Sequence, residues 1–368
     1  MKLNSFNQNL YILVSFSILL VTNNYFTYEQ SLIMGARDGF DYFTIADKLE
    51  NLSQETLSYH KVWRFIIPVL TGTISKFFDI NTYLVFRMIT ILGSLSAIYL
   101  FNLILNKLKI ESNHIFIFNF FFIFNPYFFR YFIANPTMLN DLYFTISALI
   151  ILLSYINNDK KLFFIGLLLG LITRQNAIFY LISIILLKVI FKSKSFFKIR
   201  DIVLAIILTS LIFSINTNFA NLHTVYNDSY SFLNRFNLFT FNYSINEFIK
   251  YNLFLLIIVI PIMSYVFIEN KTFLKHIIKS EFYLLIFFVA FFICSIAYVG
   301  GPVITGRNLI RLCNLVYPFI MLLIIIPFKF NINQNIIYKY FYIPIIFLWS
   351  LHPTFSSISI LRLFKFLF

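Results

Sequence analysis

Acidic side chains are scarce in this chain: Asp and Glu together number 15 among 368 residues, against 29 Lys and Arg. Cysteine is nearly absent too. The two that occur, Cys294 and Cys313, lie within or beside apolar runs and form neither a disulfide framework nor a metal motif. Charged residues of both signs make up only 12% of the chain while 60% is hydrophobic, and mean hydropathy is +0.81. Soluble proteins of this length keep roughly half of their residues polar to cover their surface, so this composition excludes a soluble domain with a large core. The net charge of +14 does not indicate nucleic-acid binding. No basic cluster sits in a folded polar domain, and lysines near membrane ends account for scattered positive charge.

What is abundant is long apolar sequence. A membrane-spanning helix needs about 20 mostly apolar residues. Runs that reach or approach this are 9–26, 83–105, 114–129, 138–156, 201–217, 251–268, 281–299, 312–327 and 339–353. The longer run 162–191 is interrupted by Thr173-Arg174-Gln175-Asn176 and reads as two shorter helices meeting at a polar turn. The expected fold is therefore all-α and polytopic, with about eleven spans in a single transmembrane domain over 1–368. Alternating transmembrane strands do not give such unbroken runs. The first run lacks a small-residue cleavage site after it and reads as a retained anchor. No soluble domain is expected after the last span. The 50 Phe, with abundant Ile, Asn and Lys, fit an AT-rich coding sequence, so no single Phe is given weight.

Orientation turns on residues 60–80. His60, Lys61, Arg64, Pro68, Lys76 and Asp79 interrupt this stretch, which reads as a helix lying at the surface rather than a span. The chain then starts in the cytoplasm, with 27–82 as the first external region and 218–250 as a later external loop. Lys107, Lys109, Lys160, Lys161, Lys192, Lys194, Lys198, Lys271, Lys275, Lys279 and Lys329 fall on the cytoplasmic side, as the positive-inside rule requires. The expected location is a cell membrane, of the bacterial inner-membrane type.

The ten arginines distribute differently. Only Arg200 is cytoplasmic; Arg37, Arg64, Arg87, Arg130, Arg174, Arg235, Arg307, Arg311 and Arg362 map to the external face or the outer ends of spans. Guanidinium is a planar fork that clamps phosphate oxygens at two points, whereas ammonium acts as a point charge. The plainer alternative is snorkelling to lipid headgroups. It fits Arg174, in the turn of a helix pair, and the pair Arg307/Arg311 least well, because intramembrane charge usually marks function.

Six of the 15 acidic residues (Glu29, Asp38, Asp41, Asp47, Glu50 and Glu55) crowd into 29–55. Asp38 and Asp41 open an amphipathic helix expected over 38–50. Carboxylates suit a helix N-terminus for dipole reasons alone. The functional reading is that one of them accepts a proton from an acceptor hydroxyl. Their i,i+3 spacing places them on nearly the same face, and mutual repulsion would raise the apparent pKa of the pair. Tyr42 adds an aromatic wall or a hydrogen bond. His60 and Arg64 follow on one helical face. In Gly166-Leu167-Leu168-Leu169-Gly170, two glycines four residues apart permit close backbone approach to a neighbour. The tip beyond them carries Arg174 and Asn176. Irregular backbone at membrane depth requires protein or a watery cavity around it. Gly300–Arg311 is the one glycine-rich stretch, read as an external loop whose Arg307 and Arg311 suit an anion.

Taken together, Asp38, Tyr42 and Ala46 in the first external region, the surface stretch Arg64-Phe65-Ile66-Ile67-Pro68, the Asn81–Arg87 span opening and the helix pair with a basic tip at Gly166–Asn176 resemble the GT-C superfamily of membrane glycosyltransferases. Those enzymes use polyprenyl-phosphate-linked sugars, as the dolichyl-phosphate-mannose protein mannosyltransferases do. The resemblance covers roughly 10–190 in order and topology, with low residue identity. It implies an inverting transfer from a polyprenyl-phosphate-sugar donor to a glycan, lipid or protein acceptor. Asp38 or Asp41 would serve as base, and Arg174 with Arg307 or Arg311 would hold the phosphate. Metal use varies within the superfamily; no ion and no organic cofactor is expected here. Competing readings are an O-antigen polymerase or ligase, and a lipid-linked oligosaccharide flippase or transporter. Transporters tend to repeat broken helices in matching halves; only one broken helix, at Thr173–Asn176, is visible.

Overall fold

The computed structural model describes residues 5–25, 37–52, 59–126, 128–190, 197–223, 281–305 and 309–326, with 29, 55, 57 and 344 besides. Among these the regular structure is helical and no strand occurs. Three helical stretches are long and apolar enough to cross a membrane: Thr82–Lys107, Pro136–Asn157 and Ile199–His223. The spans expected over 251–268 and 339–353 lie outside the described residues.

The chain opens with α1 (Ser5–Val21) and then α2 (Arg37–Asp47), α3 (Tyr59–Val62) and α4 (Ile66–Phe78). The stretch read as one surface helix over 60–80 is thus two helices with a break at Trp63–Phe65. Thirteen residues give α4 a length of about 20 Å, short of the roughly 30 Å hydrocarbon core. It is two-faced: Ile67, Pro68, Thr71, Gly72 and Ser75 are buried, while Leu70, Ile74, Phe77 and Phe78 are exposed. The buried face meets α2 with almost no clearance. A Cβ on Gly72 would stand 2.0 Å from the carbonyl oxygen of Ala46, so only glycine permits this crossing.

Helix α5 (Thr82–Lys107) starts at Asn81, whose side-chain oxygen accepts from the backbone N–H groups of Tyr83 and Leu84 at 2.9 and 3.3 Å. That is ordinary N-capping by a short polar side chain. Just before it, Asp79 ends α4 in the left-handed region (φ 51°). Thr82 donates from its hydroxyl to Asp47 at 3.1 Å, tying the start of α5 to the end of α2. The expected span 114–129 is a different object: α6 (Ser112–Ile123) ends before Asn125-Pro126, and a short α7 (Phe129–Ala134) follows. Proline has no backbone N–H and keeps its predecessor out of the helical region.

A 3₁₀ turn (Pro136–Met138) leads into α8 (Leu139–Asn157), the helix around which the others gather. Its strongest partners are α5 and α9 (Lys160–Thr173). The two glycines of α9 act as expected. A Cβ on Gly166 would press on Ile151 at 2.8 Å, and one on Gly170 would meet Ala177 at 2.8 Å and Ser147 at 3.0 Å. After Arg174 and a 3₁₀ turn (Gln175–Ala177), α10 (Ile178–Ile190) follows, so the polar interruption does divide this run into two helices. Helix α11 (Ile199–His223) packs on α9 and α3, and α12 (Glu281–Thr305) and α13 (Leu309–Ile325) pair with each other.

Two expectations are corrected here. Gly300–Thr305 is not loop but the last turns of α12, and α13 begins at Leu309. An apolar neighbourhood sustains helix through glycine and proline better than an aqueous one does. The external loop placed at 218–250 begins no earlier than 224, because α11 runs on to His223; its remainder lies outside the described residues.

Candidate functional site

The helix ends at one side of this body bring several charged and polar groups together. Helix α2 contributes Asp41 and Tyr42. Tyr42 is fully buried and Asp41 nearly so. Lys61 of α3 places its Nζ 2.9 Å from Asp41 Oδ2, with both side chains about one-tenth exposed (11% and 10%). This ion pair fastens α3 to α2. The break after α3 then turns Arg64 inward. Its Nη1 donates to the Tyr42 hydroxyl at 3.2 Å, and its Nη2 and Nε donate to Gln175 Oε1 at 3.1 and 3.4 Å. Trp63 anchors the same break from behind, donating from Nε1 to Thr217 Oγ1 of α11 at 3.3 Å, while Phe65 stacks on Phe219 at 3.6 Å.

Deeper in lies a second ion pair. Arg174 Nε donates to Asp141 Oδ1 at 2.6 Å, and the two side chains are only 5% and 1% exposed. Asp141 stands in the first turn of α8, where the helix N-terminus favours a carboxylate. Next to it, Asn140 donates from Nδ2 to the Arg64 carbonyl at 3.2 Å. The loop before α4, the start of α8 and the tip between α9 and α10 therefore meet at one place.

Charge decides what this place can do. Each carboxylate of the cluster described here already faces a cation: Asp41 faces Lys61 and Asp141 faces Arg174. Arg64 is half-buried, and the groups to which it donates, a phenol and a carboxamide, are neutral. Among the described side chains the cluster thus holds one positive charge in excess. Asp141 feels the charge of Arg64 as well as that of Arg174, so one carboxylate serves two guanidinium groups, and an arriving anion would relieve that shortage. Away from the cluster, Lys76 stands 2.7 Å from the exposed Glu50, and this hydrogen bond holds the Glu50 carboxyl below its ordinary range.

Of the residues singled out in the sequence, Asp41, Tyr42, Arg64 and Arg174 are brought together. Asn176 lies in the adjoining 3₁₀ turn, half-buried. Asp38 sits at the second position of α2, His60 in α3 and Arg311 in the first turns of α13, and their side chains lie outside what is described. Arg307 lies outside the described residues altogether. The picture of Asp41 repelled by a neighbouring carboxylate lacks Lys61, which supplies a cation instead. Arg174, expected as a free clamp, is already held by Asp141.

Sequence reading missed Asp141 and Gln175. Asp141 had a usable signal, a lone carboxylate three residues inside the apolar run 138–156, where an ionisable group marks function by default. Gln175 had none beyond its place in the polar tip. Among the described residues no group of three or more His, Cys, Asp or Glu is arranged to hold a metal ion. Comparison of the chain with protein-family models, with curated proteins and with solved structures gave no match.

Proposed function

We propose that this protein is a multi-pass membrane glycosyltransferase that moves a sugar from a polyprenyl-phosphate donor to an acceptor hydroxyl at the outer face. The observation that carries this reading is Arg64: a half-buried guanidinium whose hydrogen-bond acceptors are neutral groups, at the end of helices long enough to cross a bilayer. A phosphate monoanion or dianion fits it by charge and by the planar geometry of the fork.

In this reading the acceptor oxygen bonds to the anomeric carbon as the bond from that carbon to the phosphate oxygen breaks, inverting the centre. The bonding electrons leave with the polyprenyl phosphate. The acceptor proton passes to a carboxylate of α2, Asp38 or Asp41. Negative charge grows on the phosphate during the step, so donors already aimed there stabilise the transition state more than the ground state. Arg64 fills that role, and Tyr42 and Gln175 hold its fork in place. Arg174, neutralised by Asp141, shapes the floor beneath it.

The test is transfer from radiolabelled polyprenyl-phosphate hexoses and pentoses in membranes carrying each variant. Arg64→Lys keeps the charge and loses the fork, and a fall of about tenfold or more is expected. Asp38→Asn and Asp41→Asn are compared in parallel, and loss of the base costs on the order of 10²–10⁴. Full activity in both carboxylate variants rejects a base from this helix.

A further inference from the structure

The corner between α7 and α8, Asn135-Pro136-Thr137-Met138-Leu139-Asn140-Asp141, is buried at every residue. It packs against α2, which carries Asp41 and Tyr42, and against α5. Its amide groups are oriented by their nitrogens. Asn135 Nδ2 donates to the Tyr131 carbonyl and Asn140 Nδ2 to the Arg64 carbonyl, each at 3.2 Å. With the nitrogen facing a carbonyl, the oxygen of each amide is the atom left over. Neither Asn135 Oδ1 nor Asn140 Oδ1 has a hydrogen-bond partner, and the hydroxyl of Thr137 has none either.

That hydroxyl departs from the habit of this protein. Thr71, Thr90, Thr145, Thr173 and Thr209, all buried, each donate to a carbonyl one turn back in their own helix. Thr137 stands in the 3₁₀ turn just ahead of α8 and makes no such bond. Unpartnered buried polar atoms also occur elsewhere, as at Ser94 of α5 and Asn216 of α11. Among the described residues, only here do three residues with such atoms fall within six positions, and only here is the next residue the carboxylate that holds Arg174. Buried acceptors without donors are unstable arrangements, and each implies a donor that completes it.

We infer that the Asn135–Asn140 corner is a hydroxyl-recognition wall, whose two amide oxygens and one hydroxyl bind the neutral, polyhydroxylated part of the substrate while Arg64 binds its anionic part. This inference rests on the proposed glycosyltransferase reading and deepens it: the sugar sits against the start of α8. A site that hydrogen-bonds a substrate hydroxyl rejects a ligand lacking it, because its own buried groups are then left unpaired. Ordered water is the other source of donors.

The two sources are separated with the full-length protein in detergent, by measuring affinity for polyprenyl phosphate and for the same lipid phosphate carrying glucose, mannose, galactose or arabinose. At least one sugar-bearing lipid is expected to bind about tenfold tighter than the sugar-free lipid. Thr137→Val removes a hydroxyl that makes no bond and keeps the side-chain shape, so the ligand-free melting temperature should hold or rise. The sugar preference should fall several-fold with sugar-free binding unchanged. Asn140→Leu should remove more of the preference. Arg64→Lys should weaken both lipids alike. If Thr137→Val and Asn140→Leu retain the full sugar preference, the corner holds water and the inference is overturned while the phosphate reading stands. If the wild-type protein binds neither lipid, both readings fall.

Discussion

The two ends of this helical body handle charge differently. At one end α5, α8, α9 and α11 present Lys107, the Asn158 turn, Lys160 and Lys198 with Arg200; apart from half-buried Lys160 these residues are exposed. Lys160 pairs with Asp201 and remains one-third exposed (33%); Asp201 is the one buried charge of this group, and its partner still reaches water. At the other end the same helices present Arg87, Asp141, Arg174 and the α3 contact of Trp63, and the charges go inside. Asp141 and Arg174 are almost completely enclosed, and Arg130 is buried where its guanidinium donates to the Thr22 carbonyl and hydroxyl at 2.9 and 3.0 Å. Surface charge contributes little to stability, and buried charge is costly to keep. Ions retained inside against that cost are the physical reason for assigning the proposed site to this end of the molecule.

The sharpest way to break this contrast is to split the inner ion pair. Asp141→Leu or Arg174→Leu alone leaves an unpaired buried charge and should cost about 3–5 kcal/mol, read as a lower melting temperature in detergent. The double variant Asp141→Leu/Arg174→Leu should regain most of that loss while activity stays absent. If the double variant is no more stable than the singles, the pair is not what the buried end depends on. Next in size is Gly72→Ala, which drives a methyl group into the Ala46 carbonyl and forces α4 away from α2. A loss of about 1–3 kcal/mol is expected from such overpacking, with reduced sugar transfer, because α2 and α4 flank Arg64. The smallest effect belongs to the other end: Lys107→Ala, at an exposed lysine, should change stability by less than about 1 kcal/mol and leave transfer unchanged. A large loss there would erase the distinction between the ends.

Several of these features are legible in the sequence. The interruption Thr173-Arg174-Gln175-Asn176 marks a turn because four polar residues cannot continue an apolar helix at membrane depth, and the chain turns there. Gly166 and Gly170 signal close packing, and α8 presses on both. The polar interruptions over 60–80 mark a break, and the stretch does divide there, into α3 and α4. The run 114–129 misleads because hydropathy averages over Pro126, whose missing N–H ends α6 early. The Gly300–Thr305 stretch misleads in the other direction, since glycine and proline signal a loop in water, whereas here the backbone continues as helix to Thr305.

Composition and the length of the apolar runs determined that this chain is helical and suited to a membrane, because each residue contributes to that outcome locally and additively. The same sequence concentrated its acidic residues early, six of 15 within 29–55. Which groups pair was decided only by the tertiary structure. Asp141 meets Arg174 across 33 positions, and Arg64 meets Gln175 across 111. A hydrogen bond between distant residues depends on where three helices cross, and helix crossings are set by packing at positions such as Gly72 and Gly170. Hydropathy carries no record of it.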